Sequence, residues 1–374
     1  MKKSSPSGNL SDWTLFKPLL LKATLIGSEH QRMNNFFNYT LKELQTVVEN
    51  LGAKSYRARQ LFQWVYQRGV LDFHAMENLP KTLRSALADE FSFVMPEVTE
   101  LVHSEDKSIK FGLLLDTGHL VETVLMPEKG RNTLCVSTQI GCKMACQFCV
   151  TGHIGFVRDL TAGEIIGQLM AVKRYIRDRR ITNIVFMGMG EPLDNIENFT
   201  TALEILQEPL GLDFSYRRIT VSTVGLLDGL RSIMPKKAQI AISLNAASDA
   251  KRTELMPINR IYSLRDIIAY VAGLKNLGRQ RVTFEYVLIK GVNDSPDDAR
   301  ALADLLAGVR CKINLIPYNA SPHTKFQAPE DEAVTRFHEI LLKKHFTTLV
   351  RESHAKDIGG GCGQLGMKYL ETKR

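Results

Sequence analysis

Three cysteines within eight residues are the clearest candidates for chemistry in this sequence. Cys142, Cys146 and Cys149 follow a C-x3-C-x2-C spacing. Thiolates this close together can surround one inorganic centre, and sulfur ligands select zinc or iron–sulfur clusters over hard metals. A structural zinc site usually takes four protein ligands in two separated pairs, whereas three thiolates fit a four-iron cluster with one open iron. The spacing therefore predicts an iron–sulfur centre, with zinc as the alternative.

The same stretch resembles the signature of the radical S-adenosylmethionine (SAM) superfamily, with the aromatic Phe148 directly before the last cysteine. The resemblance implies a [4Fe-4S] cluster on the three cysteines. In that superfamily the open iron holds the amino and carboxylate groups of SAM, and an electron from the cluster splits SAM to give a 5′-deoxyadenosyl radical.

Composition indicates a soluble globular protein with an anionic partner. The chain has 374 residues, of which 44% are hydrophobic and 24% charged, and no apolar run approaches the length of a membrane helix. Six cysteines, three of them clustered, favour metal or redox chemistry in a reducing compartment over a disulfide scaffold. We therefore expect a cytoplasmic protein. A net charge of +8 favours a polyanion such as RNA.

Changes in the hydrophobic pattern divide the chain into five predicted segments. They are a flexible leader (1–35), a helical accessory RNA-binding domain (36–95), a β-hairpin linker and extension (96–130), a radical SAM core (131–352) and a C-terminal segment (353–374). The start stays open between Met1 and Met33, because either methionine can begin the chain.

The helical segment carries clear start and stop signals. Thr40 opens a capping box with Glu43, and Gly52 ends that first helix. A second helix is predicted from about Tyr56 to Arg68 and a third from about Lys81 to Phe91. We expect these helices to expose basic residues to RNA, namely Lys54, Arg57, Arg59, Lys81 and Arg84.

Strands and helices alternate after a predicted hairpin whose turn is Asp116–His119. The strands lie near 134–138, 184–187, 219–222, 240–243, 283–288 and 313–317. Six βα units imply a parallel sheet, and right-handed crossovers curl such a sheet into a full or partial barrel. We predict an α/β fold with a partial (β/α)6 TIM-like barrel, and an open doubly wound sheet is the alternative.

Small and polar residues follow these strands at the end where barrel enzymes place their chemistry. The superfamily resemblance implies that Gly190 and Glu191, in the stretch G-M-G-E-P, hold the amino group of SAM. It also implies contacts with the ribose, carboxylate and adenine from the residues that end later strands, which are Ser222, Ser243, Leu244, Asn245 and Asn319.

Further motifs narrow the resemblance to the family of RlmN and Cfr, the radical SAM enzymes that methylate C2 or C8 of an RNA adenine. The motifs are V-E-T-V at 121–124, L-C-V-S-T-Q-I-G-C at 134–142, L-I-P-Y-N at 315–319 and C-G-Q-L at 362–365, together with G-M-G-E-P. They recur in the family's order, and the resemblance covers about residue 36 to the C-terminus. Two positions depart from the family: glycines precede Cys362 where alanines are usual, and Asn245 stands where histidine is usual.

The family resemblance implies a role for each remaining candidate. Cys362 would take a methyl group from one SAM, and the radical from a second SAM would activate that methyl group for addition to the base. Cys135 would release the product through a transient disulfide with Cys362, and Glu122 would accept the ring proton. Cys311 has no implied role, and we expect it in the core.

The implied partners are 23S rRNA, tRNA and an electron donor such as flavodoxin with its reductase, and we expect a monomer. No single residue separates C2 from C8 methylation, although the overall resemblance favours C2. A third hypothesis of another class is a non-catalytic RNA-binding protein whose cysteines hold zinc.

Overall fold

The described chain begins with a short strand and three helices packed around aromatic side chains. The computed structural model describes residues 33–176, 180–234, 237–274 and 280–371, so most of the predicted leader lies outside the described residues. The first elements are β1 (Asn34–Asn35), α1 (Leu41–Asn50), α2 (Tyr56–Phe62), α3 (Lys81–Glu90) and β2 (Phe91–Ser92). Pairing of β1 with β2 joins the two ends of this helical region.

The ends of the first helices follow from local sequence. Thr40 and Glu43 form the predicted capping box at the start of α1. Gly52 and Gly69 have φ of +76° and +71°, a conformation that glycine adopts without the steric cost paid by other residues. Gly52 follows α1, and Gly69 follows a turn of π-helix that extends α2.

Two basic residues of this region are less exposed than we expected. Arg57 donates to the Asn78 carbonyl at 2.8 Å, and Arg84 donates to the His74 carbonyl at 2.5 Å. Both side chains are therefore half-buried and hydrogen-bonded within the helical region. They offer less exposed surface than predicted, and contact of this region with RNA stays a prediction.

Three antiparallel strands follow, which are β3 (Glu97–His103), β4 (Ile109–Leu114) and β5 (Leu120–Glu128). β4 and β5 form the predicted hairpin, and Gly118 in its turn has a φ of +78°. β3 was not anticipated from the sequence. Its pairing with β4 shifts register between Val98 and Glu100, which interrupts the simple alternation that marks a strand.

The core begins at β6 (Arg131–Cys135), which pairs antiparallel with β5. After it, β7 (Gln139–Gly141), α4 (Val150–Ile154) and β8 (Phe156–Asp159) form a small hairpin unit that contains the clustered cysteines. The remaining elements are α5 (Ala162–Ile176), β9 (Asn183–Phe186), α6 (Ile196–Gln207), β10 (Ile219–Thr223), α7 (Leu227–Ile233), β11 (Gln239–Ser243), α8 (Asp249–Leu255), α9 (Leu264–Gly273), β12 (Val282–Leu288), α10 (Pro296–Leu305), β13 (Cys311–Pro317), α11 (Asp331–Lys343), β14 (Thr348–Val350) and α12 (Met367–Glu371).

The main sheet keeps its core strands in chain order. Its strand order is β14-β13-β12-β11-β10-β9-β6-β5-β4-β3, and the pairs from β6 to β14 are parallel. A doubly wound sheet reverses its strand order at a switch point, so this alternative is excluded. Since β6 and β13 are not neighbours, the barrel is open, as predicted, and β14 adds an edge strand that the sequence analysis missed.

The helical region is joined to the core by specific hydrogen bonds. The Gly163 amide at the start of α5 donates to Asn38 Oδ1 at 2.6 Å, and Lys173 Nζ donates to the Tyr66 carbonyl at 2.8 Å. Residues from Met33 onward form one compact unit. Of the helices in the described ranges, none has the length and apolar character needed to cross a membrane.

Candidate active site

The clustered cysteines lie in a loop that is fixed at its neck and at its tip. At the neck, β7 and β8 approach so closely that a Cβ on Gly141 would lie 1.7 Å from the Gly155 carbonyl oxygen. At the tip, the Gln147 amide donates to the Leu255 carbonyl of α8 at 2.9 Å. Local glycine geometry and one contact with a neighbouring βα unit thus position the thiols.

Cys142, Cys146 and Cys149 all line one cavity. Burial raises the pKa of each thiol above its ordinary value, because the low-dielectric surroundings disfavour the thiolate. A bound metal centre reverses this effect, since its positive charge deprotonates coordinating thiols. Within the described residues, no three His, Cys, Asp or Glu side chains are gathered around a single-ion site. Three thiol donors that line one cavity fit an iron–sulfur centre, which takes cysteine thiolates as ligands.

The cavity has a volume of about 150 Å³ and opens to solvent. Its wall is formed by residues from the C-terminal ends of the core strands, as the barrel geometry requires. The wall includes most of the polar candidates from the sequence, which are Gly190, Glu191, Ser222, Ser243, Asn245 and Asn319. The structure thus brings together residues that are up to 221 positions apart in the chain, from Cys142 to Gly363.

Glu191 is the buried carboxylate of this wall, with 3% of its surface exposed. Its oxygens accept hydrogen bonds from the Leu193 amide at 3.2 Å and the Val224 amide at 2.9 Å. Burial raises the pKa of Glu191 to about 7, although these amides act in the opposite direction. A cationic ammonium group beside Glu191 would favour the ionised form, so this carboxylate suits the amino group of SAM.

Glycine is required at the residue before this carboxylate. Gly190 has a φ of +96°, and a Cβ there would lie 2.5 Å from Gln139 Cβ. Gln139 in turn accepts the Glu191 amide through Oε1 at 2.8 Å. The close approach of the two chain segments therefore fixes the direction of the carboxylate.

Ser222, Ser243 and Asn319 keep polar groups at the cavity wall. Ser222 Oγ donates to Glu285 Oε2 at 2.6 Å, and Asn319 Nδ2 donates to the Cys362 carbonyl at 3.2 Å. Glu285 was not singled out from the sequence, because it lies inside the apolar strand β12. Asn319 thus connects the cavity directly to the cysteine of the C-terminal segment.

Two predicted cofactor contacts, Leu244 and Asn245, also have contacts within the fold, and their part in cofactor binding stays a prediction. The Leu244 side chain is fully buried in the core and is not among the residues that line the cavity. Asn245 lines the cavity, but its Oδ1 accepts the Val287 amide at 2.9 Å and its Nδ2 contacts Met256 Sδ at 3.2 Å. With a φ of +57°, Asn245 also shapes the turn after β11.

Cys135 and Cys362 line a second, smaller cavity together with Arg351. Both thiols are free. Burial is the main cause that raises the pKa of Cys135 to about 12 and also raises the pKa of Cys362. The Arg351 guanidinium acts against burial at both thiols. Since Cys362 lines both cavities, it lies between the clustered cysteines and Cys135. Cys311, by contrast, is buried in β13 as expected.

Glu122 lies on the sheet face that meets the C-terminal segment. Its Oε2 accepts the Gly366 amide at 2.6 Å, and its Oε1 is 3.6 Å from Lys110 Nζ. Cys135 lies on the same face, because Val124, two residues after Glu122, is paired with Cys135 across β5 and β6. The hairpin extension therefore forms part of the site.

Three cations were missed by the sequence analysis: Lys110 and Arg252, which are buried, and Arg351, which is half-buried. Lys110 lies within the apolar run of β4, and a charged residue in such a run was an available signal. Arg252 has no exposed surface, and its guanidinium donates to the carbonyls of Val224 at 2.7 Å and Ser243 at 3.2 Å. It thereby ties two strand ends of the cavity wall together. No local pattern in α8 marks that role.

Comparisons with known proteins agree with this geometry. The family model described as "Ribosomal RNA large subunit methyltransferase N-terminal domain" matches residues 34–92, and the model of the radical SAM superfamily matches residues 136–306. A dual-specificity RNA methyltransferase RlmN of Geobacter sulfurreducens is 46% identical over 89% of this chain and 92% of its own length. The RlmN of Syntrophus aciditrophicus is 41% identical over 92% and 99%, respectively.

A solved structure shows the same architecture. The crystal structure of a radical SAM methyltransferase from Sphaerobacter thermophilus superposes with a TM-score of 0.83, at 42% identity, over 88% of this chain and 98% of that one. The fold and the cysteine-lined cavity are those of a radical SAM enzyme, a class that uses a [4Fe-4S] cluster and SAM. More particularly, the chain belongs to the RlmN family of dual-specificity RNA methyltransferases.

Proposed function

We propose that this protein methylates C2 of an adenine in 23S rRNA and of an adenine in the tRNA anticodon loop, through a methylated Cys362. The observation that carries the proposal is the position of Cys362, which lines both the cavity of the clustered cysteines and the small cavity of Cys135. From there one sulfur atom can exchange groups with a cofactor and with a second thiol. The names of the RlmN relatives support RNA as the substrate.

Different residues of the cavity would bind the cluster and SAM. Cys142, Cys146 and Cys149 would hold the [4Fe-4S] cluster, and Gly190 with Glu191 would hold the amino group of SAM. Ser222, Ser243 and Asn319 offer hydroxyl and amide groups for its remaining polar atoms. Bound there, the cluster and SAM supply one electron and a radical that removes hydrogen from the methylated Cys362.

Cys362 acts as the carrier of the methyl carbon. Because C2 of adenine has no nucleophilic lone pair, direct methyl transfer from SAM to C2 is not feasible. The Cys362 thiolate instead takes the methyl group from a first SAM, since thiolates are good nucleophiles toward a sulfonium methyl group. With a second SAM bound for activation, the carbon on Cys362 would bond to C2 of the base.

Glu122 and Cys135 complete the turnover. The adduct would lose one electron to the oxidised cluster and give its C2 proton to Glu122, which lies on the same sheet face as Cys135. Cys135 then attacks the sulfur of Cys362. A disulfide forms, the bond between that sulfur and the methylene carbon breaks, and the carbon takes up a proton to become the methyl group of the product.

The proposed partners follow from this chemistry. The net charge of +8 suits the phosphates of rRNA and tRNA, and the target base is flipped out of its stack to reach Cys362. An electron donor such as flavodoxin with its reductase is needed for the cluster. We propose a monomer that works in the cytoplasm.

Nucleoside mass spectrometry tests the function. We expect 2-methyladenosine in both rRNA and tRNA when the gene is expressed in cells that lack their own adenine-C2 methyltransferase. If 2-methyladenosine appears in rRNA alone, the proposed tRNA activity is wrong. If 8-methyladenosine appears instead, the enzyme catalyses a Cfr-type reaction. The Cys362→Ala variant is the matched control, and methylation by that variant would contradict the carrier mechanism.

A further inference from the structure

Lys110 is a buried lysine whose charge the proposed reaction does not use. It lies in β4 with 5% of its surface exposed. Lys110 pairs with Val124, and Gly112 pairs with Glu122, so Lys110 and Glu122 are diagonal neighbours on one face of the hairpin. Their charged atoms are 3.6 Å apart. Burying two charges is unfavourable unless each is well paired. A buried ion pair at this position therefore indicates a specific role.

The pair contacts the segment that carries Cys362 at both of its ends. We call residues 359–366 the carrier loop. Lys110 Nζ donates to the Gly359 carbonyl at 3.5 Å, three residues before Cys362. Glu122 Oε2 accepts the Gly366 amide at 2.6 Å, four residues after it. One ion pair on the sheet thus holds both ends of the carrier loop.

The other side of the carrier loop is held by neutral groups. The Val150 amide donates to the Gly363 carbonyl at 2.8 Å, and Asn319 Nδ2 donates to the Cys362 carbonyl at 3.2 Å. Neither contact changes charge in the reaction. The contact at Glu122 does, because the proposed mechanism gives this carboxylate a proton.

A change of charge at Glu122 weakens two contacts at once. Hydrogen bonds to an ionised acceptor are about twice as strong as those between neutral groups, so protonation weakens the bond from the Gly366 amide. It also removes the attraction to Lys110. Cys362 needs such a change, because it must first stay with the cofactor and the base and afterwards bond to Cys135.

We propose that Lys110 and Glu122 form a charge-dependent clasp on the carrier loop, which opens when Glu122 takes the C2 proton and so lets Cys362 bond to Cys135. The inference rests on the proposed role of Glu122 as proton acceptor. In this step the C2–H bond of the adduct breaks, the proton goes to the Glu122 carboxylate, and the electron pair stays with the base. Lys110 is therefore a positioning residue for both the proton acceptor and the carrier.

The clasp can be tested in the cluster-loaded enzyme without RNA or SAM. Under anaerobic conditions, oxidised glutathione converts the two thiols to a disulfide and is itself reduced to two molecules of glutathione. The rate at which the Cys135–Cys362 disulfide forms is measured by peptide mass spectrometry after rapid alkylation of the remaining thiols. We expect Glu122→Gln, which mimics the protonated acid, to form the disulfide several-fold faster than the wild type.

Three further variants sharpen the test. Lys110→Arg keeps the charge and should retain the slow wild-type rate, whereas Lys110→Met should be fast. The double variant Lys110→Met with Glu122→Gln contains no unpaired buried charge, so it should fold and should also be fast. Hydrogen exchange of the Gly366 amide should accelerate in the same variants.

Asp357→Asn is the matched control, because Asp357 also anchors the C-terminal segment, through Ser104 Oγ at 2.6 Å, but lies outside the carrier loop. Equal acceleration in this control would mean general loosening and would overturn the clasp. Wild-type rates in Glu122→Gln and in the double variant would overturn it as well. Loss of methylation by Glu122→Gln is a separate readout, so failure of the clasp and failure of Glu122 as proton acceptor are distinguishable.

Discussion

At the scale of residues, two thiols with different surroundings face each other across a small cavity. Burial raises the pKa of both Cys135 and Cys362, and Arg351 is the cation that opposes this effect. The Arg351 guanidinium contacts Met187 Sδ at 3.1 Å, a weak acceptor that leaves its charge available to the thiols. Thiolate chemistry at this site therefore depends on one half-buried arginine.

Cys135→Ala is expected to block the last step of the reaction and none before it. Cys362 can still be methylated and can still bond to the base, but no second thiol is present to release it. A covalent protein–RNA adduct should then accumulate, visible as a shifted band on a denaturing gel. The Cys362→Ala variant should give no such band, and ready product release by Cys135→Ala would contradict the role of Cys135.

Arg351→Met is expected to slow methylation of Cys362. Without the guanidinium the pKa of Cys362 rises further, so less thiolate is present at any given pH, about tenfold less for each pKa unit. The pH dependence of Cys362 methylation should consequently move to higher pH, as measured by peptide mass spectrometry in a single turnover with SAM. Arg351→Lys should largely restore the wild-type profile, whereas an unchanged profile in Arg351→Met would exclude the electrostatic role.

At the scale of elements, the antiparallel extension does more than lengthen the sheet. It anchors the start of the C-terminal segment through Asp106, which accepts the Ala355 amide at 3.0 Å and contacts His354 Nδ1 at 3.0 Å. Ala355 has a φ of +54°, a left-handed conformation that is strained for alanine. Asp106 therefore stabilises a turn that alanine does not favour.

Asp106→Asn is expected to lower the free energy of unfolding by about 1 kcal/mol at neutral pH, the net worth of one hydrogen bond. Partial burial raises the pKa of Asp106, but hydrogen bonds from Ser108, Ser104 and Ala355 outweigh it and hold this pKa well below its usual range. The contribution is thus complete above about pH 4 and is lost as the pH falls further.

Urea unfolding of the wild type and of Asp106→Asn across this pH range measures the effect. The difference between the two proteins should narrow on acidification. Asp89→Asn, at an exposed position of α3, is the control and should leave the unfolding free energy nearly unchanged. A difference that stays constant with pH would refute the electrostatic assignment.

At the scale of the whole molecule, the helical region and the open barrel belong to one compact unit. Lys54, Arg59 and Lys81 are exposed there, whereas Arg57 is bound to the Asn78 carbonyl. The exposed residues are therefore available to bind phosphates, whereas Arg57 has a structural hydrogen bond.

RNA binding is expected to weaken steeply with salt, because each phosphate contact releases counterions. Removing one contact with Lys54→Ala or Lys81→Ala should reduce the slope of log affinity against log salt by about 0.7 to 0.9. Fluorescence anisotropy with a labelled anticodon stem–loop at several KCl concentrations measures this slope. Arg57→Ala should instead lower the unfolding temperature with little change in slope, and slopes unaffected by the lysine variants would place the RNA elsewhere.

The sequence by itself determined the features that depend on local spacing. The cysteine motif, the capping box at Thr40 and the period of the βα units each report on residues a few positions apart, and the open barrel was confirmed. The family motifs also identified Cys362 and Glu122 as candidates. These features can be recognised in the sequence because they depend on interactions between residues that are close together in the chain.

Only the tertiary structure decided which buried charges and carbonyls meet. Lys110 contacts Gly359 across 249 positions, and Arg351 lines one cavity with Cys362. Leu244 is buried, and Asn245 Oδ1 accepts the Val287 amide. Electrostatic and hydrogen-bond pairing at such separations depends on the register of the sheet and on the path of the C-terminal segment. The spacing of neighbouring residues predicts neither the register nor this path, because both result from packing of the whole chain.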